Sequence, residues 1–151
     1  MILPDLNLHI YAYNLTAPDH TAARLWWEGV MTRQEPIGLP LNVALGFVRL
    51  MTNPKVIQPP MLLPDALAEV QRWLAAPNVT LLHPTPQHWD TLGKIGWTGP
   101  ALSDAHLAAL AMEHDGELNT NDADFSSCSG LRWKNPLDVQ DAAAESGRDR
   151  A

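Results

Sequence analysis

The chain holds a single cysteine, Cys128. That excludes an intrachain disulfide and a zinc site built on cysteine pairs, and the expectation for Cys128 is an ordinary thiol near a loop. Basic residues are also scarce. Ten Lys and Arg stand against 17 Asp and Glu, for a formal net charge of −7. This balance excludes a protein that coats nucleic acid through bulk electrostatics. It leaves room for a nuclease that grips its substrate locally, and for a basic partner. Charged residues make up only 18% of the chain against 46% hydrophobic, which excludes a chain too polar to fold. No apolar run approaches the roughly 18 residues that a membrane span needs. The N-terminus lacks a basic segment and carries Asp5 in its apolar run, so it makes a poor signal peptide. A soluble cytoplasmic protein is expected. No internal repeat is visible, and 151 residues suit one domain.

Proline, by contrast, is abundant. Thirteen prolines cluster at 36–40, 54–64 and 84–86, where they mark loops. Between them, strand and helix patterns alternate. Residues 1–3 form a short apolar strand. Helices are expected over 6–14, 17–31, 41–51, 65–75, 85–95 and 103–114, from apolar residues at spacings of three and four. Thr85 is expected to cap the fifth helix with Pro86 in its first turn, and Ser103 to cap the sixth. Further strands are expected just before Pro40 and over 79–83, 117–120 and 131–133. From Asp138 onward apolar residues nearly vanish, and fraying is expected. The alternation predicts an α/β fold with a mostly parallel sheet flanked by helices.

Residues 117–125 (ELNTNDADF) organise the chemistry. They read as a buried strand that ends in Asp122 and Asp124. Asp5 follows the first strand in the same way, and Asp104 sits in the first turn of the sixth helix. In open α/β sheets, sites lie beyond the carboxyl ends of strands. Taken singly, each aspartate is equally at home as a cap or turn former. Together they make a carboxylate cluster. Like charges that close repel one another, and a hard divalent cation such as Mg²⁺ or Mn²⁺ resolves the conflict. Such an ion lowers the pKa of a bound water and polarises a phosphodiester.

These residues resemble a known family. Asp5-Leu6-Asn7 after the first strand, Ser103-Asp104 at a helix start, and 120–125 (TNDADF) after a strand are similar to the PIN-domain nucleases. The stretches 41–54 (LNVALGFVRLMTNP), 103–125 and 131–137 (LRWKNPL) resemble the VapC toxins of bacterial toxin–antitoxin pairs. The likeness covers about residues 1–137, taken as one PIN-like nuclease domain with 138–151 as a tail. It implies a metal-dependent endoribonuclease acting on structured RNA such as tRNA or rRNA, with Mg²⁺ as cofactor and Mn²⁺ as a substitute. It implies a homodimer and inhibition by a VapB-type antitoxin that presents a basic side chain to the acidic site. It carries catalytic and metal-ligand roles to Asp5, Asp104 and Asp122, with Asp124 as a nearby or water-mediated ligand. Asn7 and Thr120 would orient the carboxylates. One departure stands out: the family's usual helix glutamate falls here on Gly46, which cannot ligate a metal. Glu35 and Asn42 are the nearest polar substitutes.

Other residues read more blandly. Trp26 and Trp27 could stack on bases, but packing against the core or against a second subunit is favoured, and as exposed residues they would make a dimer plausible. The six histidines show no zinc-type i, i+4 pair, and His106 faces away from Asp104. Arg49, Lys55, Arg132 and Lys134 make no stripe and read as scattered charge. Two rivals remain. One is a PIN-like protein that binds antitoxin or RNA without cutting, which the Gly46 departure favours. The other is an α/β phosphatase or phospho-acceptor domain, which would need a lysine near the last acids, and 120–125 has none.

Overall fold

The computed structural model describes residues 1–138. The expected tail, apart from Asp138, lies outside the described residues. Five strands, β1 (Ile2–Pro4), β2 (Ile37–Pro40), β3 (Val79–Leu82), β4 (Glu117–Asn119) and β5 (Trp133–Lys134), form one parallel sheet in the order β3-β2-β1-β4-β5. The helices are α1 (Leu6–Tyr13), α2 (His20–Thr32), α3 (Leu41–Met51), α4 (Leu63–Ala75), α5 (His88–Ile95) and α6 (Leu102–Glu113). Short 3₁₀ turns occupy Gly99–Ala101 and Ala123–Ser127. The expected α/β class with a parallel sheet is what forms.

Burial on both faces explains the strand sequences. Every residue of β1 and β2 is buried, as a parallel sheet covered by helices requires. The outer strands β3 and β5 carry exposed Thr80 and Lys134. Pro4 and Pro40 are the last residues of β1 and β2, where a missing N–H ends a ladder without breaking it.

The chain steps from β1 outward through β2 to β3, then returns through α5 and α6 to place β4 on the other side of β1. That reversal makes the β1–β4 boundary the topological switch point of the sheet. Asp5 and Thr120 follow immediately after these two strands, and the Asp5 N–H donates to the Asn119 carbonyl across the gap (2.9 Å).

An aromatic core sits under α1, α2, α3 and α4. His9, Trp27, Phe47 and Trp73 are all essentially buried, with His9 4.5 Å from the Trp27 ring and 4.8 Å from Trp73. Trp26 is buried as well. Both tryptophans of α2 therefore pack inward. They are neither a base-stacking platform nor an exposed surface for a second subunit.

Several boundaries differ from expectation, among them the start of α4 at Leu63 rather than 65 and the place of β5 at Trp133–Lys134 rather than 131–133. The second helix starts at His20 rather than residue 17. The fifth starts at His88: Thr85 instead shapes a turn, accepting from Gln87 N–H (3.2 Å) and donating to Glu113 (3.1 Å). Ser103 lies inside α6 rather than capping it, because the 3₁₀ turn at 99–101 feeds the chain directly into the helix.

Candidate active site

Thr120 is the centre of the polar network at the switch point. It is fully buried, and its Oγ1 donates to Asp5 Oδ2 (2.7 Å). The same oxygen accepts from Asp122 N–H (3.0 Å) and from Asn7 Nδ2 (3.3 Å). A hydroxyl has one proton and two lone pairs, so Thr120 is saturated. Asn7 completes the loop by accepting from Asn121 N–H through Oδ1 (3.4 Å). Asn135 Nδ2 then donates to Asn121 Oδ1 (2.8 Å), tying in the chain after β5.

Asp5 is only 8% exposed. It caps α1, with Oδ1 accepting from Leu6 N–H (2.6 Å). His9, one turn on, donates from Nδ1 to the Asp5 carbonyl (3.3 Å). Burial among aromatic rings lowers the His9 pKa to about 4, so this imidazole is neutral and structural at neutral pH. Asp122 caps the 3₁₀ turn at 123–127 by accepting from Asp124 N–H (2.9 Å). Asp104 is half-buried in the first turn of α6 and takes no hydrogen bond among the described residues.

The four carboxylates feel one another. Burial raises the Asp5 pKa most. The Thr120 and Leu6 hydrogen bonds oppose that rise, and the charges of Asp104 and Asp122 add to it. Burial also raises the Asp104 pKa, followed by the charges of Asp122 and Asp124. Among the described residues no lysine or arginine counters either shift. Asp104 and Asp122 thus lie within electrostatic reach of Asp5, and Asp122 and Asp124 within reach of Asp104, in a field that is net negative among the described residues. Among the described residues no three His, Cys, Asp or Glu side chains close into a ready-made metal cage. The acids are in electrostatic reach of one another but held apart.

The other expected residues separate clearly. Gly46 is buried, and a Cβ there would lie 2.6 Å from Leu6 Cδ2. The residue after Asp5 therefore fills the space where the family's glutamate would stand. Glu35 precedes β2 at the opposite end of the sheet and cannot replace that acid. Asn42 is exposed in the first turn of α3, at the carboxyl end of β2. Arg132 bonds Asp115 ahead of β4 (3.0 Å) and Lys134 pairs with Glu117 (3.2 Å), so neither joins the acidic cluster. Cys128 is buried, and burial pushes its thiol pKa up.

Two features were not foreseen. Buried Glu113 faces His88 Nδ1 (2.8 Å), whose Nε2 meets His106 Nδ1 (2.9 Å). This chain locks α5 onto α6 and gives His106 its structural place. The second is a pocket beside Asp104 and Asp124 that contains Trp97. Sequence spacing does not mark either, because the partners lie 7 to 27 residues apart on different elements.

The PIN domain family matches residues 2–131. The chain is 38% identical over 141 residues to Ribonuclease VapC33 of Mycobacterium tuberculosis (strain ATCC 25618 / H37Rv), covering 91% of this chain and 99% of that protein. It is 35% identical over 140 residues to Ribonuclease VapC37 of the same strain, covering 90% and 97%. Among solved structures, VapBC2 of Rickettsia felis bound to a promoter DNA fragment superposes with TM-score 0.64 at 15% identity, covering 89% of this chain and 98% of that one. VapC20 of Mycobacterium tuberculosis, a Sarcin-Ricin loop cleaving toxin, gives TM-score 0.61 at 16% identity, covering 85% and 95%.

Proposed function

As the chain belongs to the PIN-domain family, with VapC ribonucleases as its relatives, we propose that it is the toxin of a toxin–antitoxin pair. It is an endoribonuclease that hydrolyses a structured RNA such as tRNA or rRNA in the cytoplasm. Among the described residues no helix is long and apolar enough to cross a membrane. Residues 1–137 form the nuclease domain, in keeping with Leu137 being buried.

The observation that carries this reading is the mutual repulsion that links Asp5, Asp104, Asp122 and Asp124 near the switch point, with no Lys or Arg among the described residues to balance it. The donor set is all oxygen and all anionic, which fits a hard divalent cation that keeps several waters. Mg²⁺, or Mn²⁺ in its place, supplies when bound an activated water and charge neutralisation at the phosphodiester. Asp5, Asp104 and Asp122 would be its direct ligands, with Asp124 close by or acting through water. Thr120 holds Asp5 Oδ2 in one orientation, and Asn7 holds Thr120. Asp104 has no competing hydrogen bond among the described residues and would be open to ligate. Burial of Asp5 keeps bulk water from screening its charge.

A VapB-type antitoxin is the proposed partner. The neighbouring structures include VapBC complexes, and a net charge of −7 with an unbalanced acidic site favours a basic segment from the partner. A homodimer is also proposed. Leu41, Leu45, Leu63 and Leu67 are exposed on α3 and α4, in the role that Trp26 and Trp27 do not fill.

The test is cleavage of a tRNA and rRNA pool by purified protein with Mg²⁺ or Mn²⁺, beside an EDTA control and Asp104→Asn. Cleavage by wild type alone is expected, with at least a hundredfold loss in the variant. A second reading, a catalytically weak or silent PIN protein, draws on Leu6 filling the space at Gly46. A folded wild type that cuts nothing would favour it.

A further inference from the structure

A pocket of about 430 Å³ opens beside the acidic cluster, lined by Asp104 and Asp124 and also by Trp97, Thr98 and Ser127. Its size falls in the range of about 300–1,000 Å³ typical of small-ligand sites. The loop that carries Trp97 runs between Gly96 and Gly99, both in the left-handed region (φ 73° and 59°). Such angles favour glycine, so the backbone itself directs this loop. Trp97 is half-buried. Its indole packs on buried Phe125 (centroids 6.1 Å, 50° between planes). Phe125 belongs to the 3₁₀ turn that Asp122 caps, so the indole is fixed to the same turn as two of the carboxylates. No hydrogen bond is made by the Trp97 Nε1–H or the Thr98 hydroxyl among the described residues.

We propose that this pocket is a nucleobase subsite, in which Trp97 stacks on an unpaired base of the RNA next to the phosphate that a divalent cation on the carboxylates would hold. The ligand's chemistry rests on the nuclease reading above. A phosphate at the acidic cluster brings its attached nucleosides to this wall, because the same two aspartates border both spaces. The wall offers what a base needs: a fixed aromatic face, free polar hydrogens at its rim, and no lysine or arginine to favour phosphate instead. Unpaired bases are the part of RNA that proteins read by stacking on aromatic side chains. Stacking is tolerant of base identity, so Trp97 supplies affinity and register, while Thr98 and the indole N–H supply preference.

The test measures binding of a fluorescein-labelled single-stranded RNA 12-mer, with Ca²⁺ replacing Mg²⁺, beside the same backbone carrying abasic positions. Wild type is expected to bind the base-bearing strand more tightly. Trp97→Ala should weaken that binding by about 5- to 150-fold, the range for one stacked base, and erase the preference over the abasic strand. Trp97→Phe should retain most of both. Equal binding of the two strands by wild type, or undiminished binding by a folded Trp97→Ala, would overturn the subsite. Should Trp97→Ala fail to fold, wild type against the abasic strand decides. Failure of the nuclease reading shows separately, as absent cleavage with Mg²⁺ by a wild type that still binds through Trp97.

Discussion

At the residue scale, Thr120 is the side chain on which the acidic site turns. Removing its hydroxyl in Thr120→Val leaves Asp5 Oδ2, Asn7 Nδ2 and Asp122 N–H each without a partner. Loss of a group that orients a metal ligand costs about 10- to 100-fold in metal affinity or activity. That loss is expected here, with Thr120→Ser close to wild type, measured as the Mg²⁺ dependence of cleavage. The raised carboxyls give a second outcome. Asp5 and Asp104 hold their protons to a higher pH in the folded chain than the usual 3.8. The native state therefore binds more protons between the ordinary and raised values, and stability falls as pH rises through that window. In EDTA, urea midpoints should decline as pH rises above the usual carboxyl value of 3.8, and Asp104→Asn should lessen the decline. Added Mg²⁺ should raise the wild-type midpoint more than the variant's. The aspartates themselves were legible in the sequence, because each follows a strand or opens a helix. Trp97 was not: its neighbours Asp124 and Phe125 lie 27 and 28 residues away, and only folding joins them.

At the element scale, helices and strands were legible where periodicity is strong, and their ends were not. The α3 span of Leu41–Met51 matches the apolar run at both ends because Pro40 and Thr52 bound it. The α5 start was displaced because Thr85 bonds Glu113 on α6, a partner that local capping rules do not see. The packing of α1 against α4 centres on Tyr13. Its hydroxyl donates to Glu69 (2.7 Å) and accepts from the fully buried Trp73 Nε1–H (3.1 Å). Tyr13→Phe strands that indole donor, so a loss of about 1–3 kcal/mol is expected in urea unfolding. Phe47→Ala, which empties fully buried volume between α3 and the same aromatics, should lose about 3–5 kcal/mol.

At the scale of the whole molecule, strand order decides where chemistry can sit. The sheet reverses once, between β1 and β4, and the two strands on either side of the reversal deliver Asp5 and Thr120 with the acids after it. The alternating pattern made a parallel sheet legible; which strands flank the reversal follows from helix packing and was not. Net charge acts at this scale too. A chain of −7 should bind a basic antitoxin segment less tightly as salt rises, since exposed charges are screened within about 10 Å at 0.1 M. The four aspartates are proposed to hold a divalent cation. Mn²⁺ binding followed by electron paramagnetic resonance reads it without any RNA. Saturable binding by wild type, lost in Asp104→Asn and in Asp122→Asn, is the result expected. Folded wild type that leaves Mn²⁺ free, or variants that bind it equally well, would contradict the account.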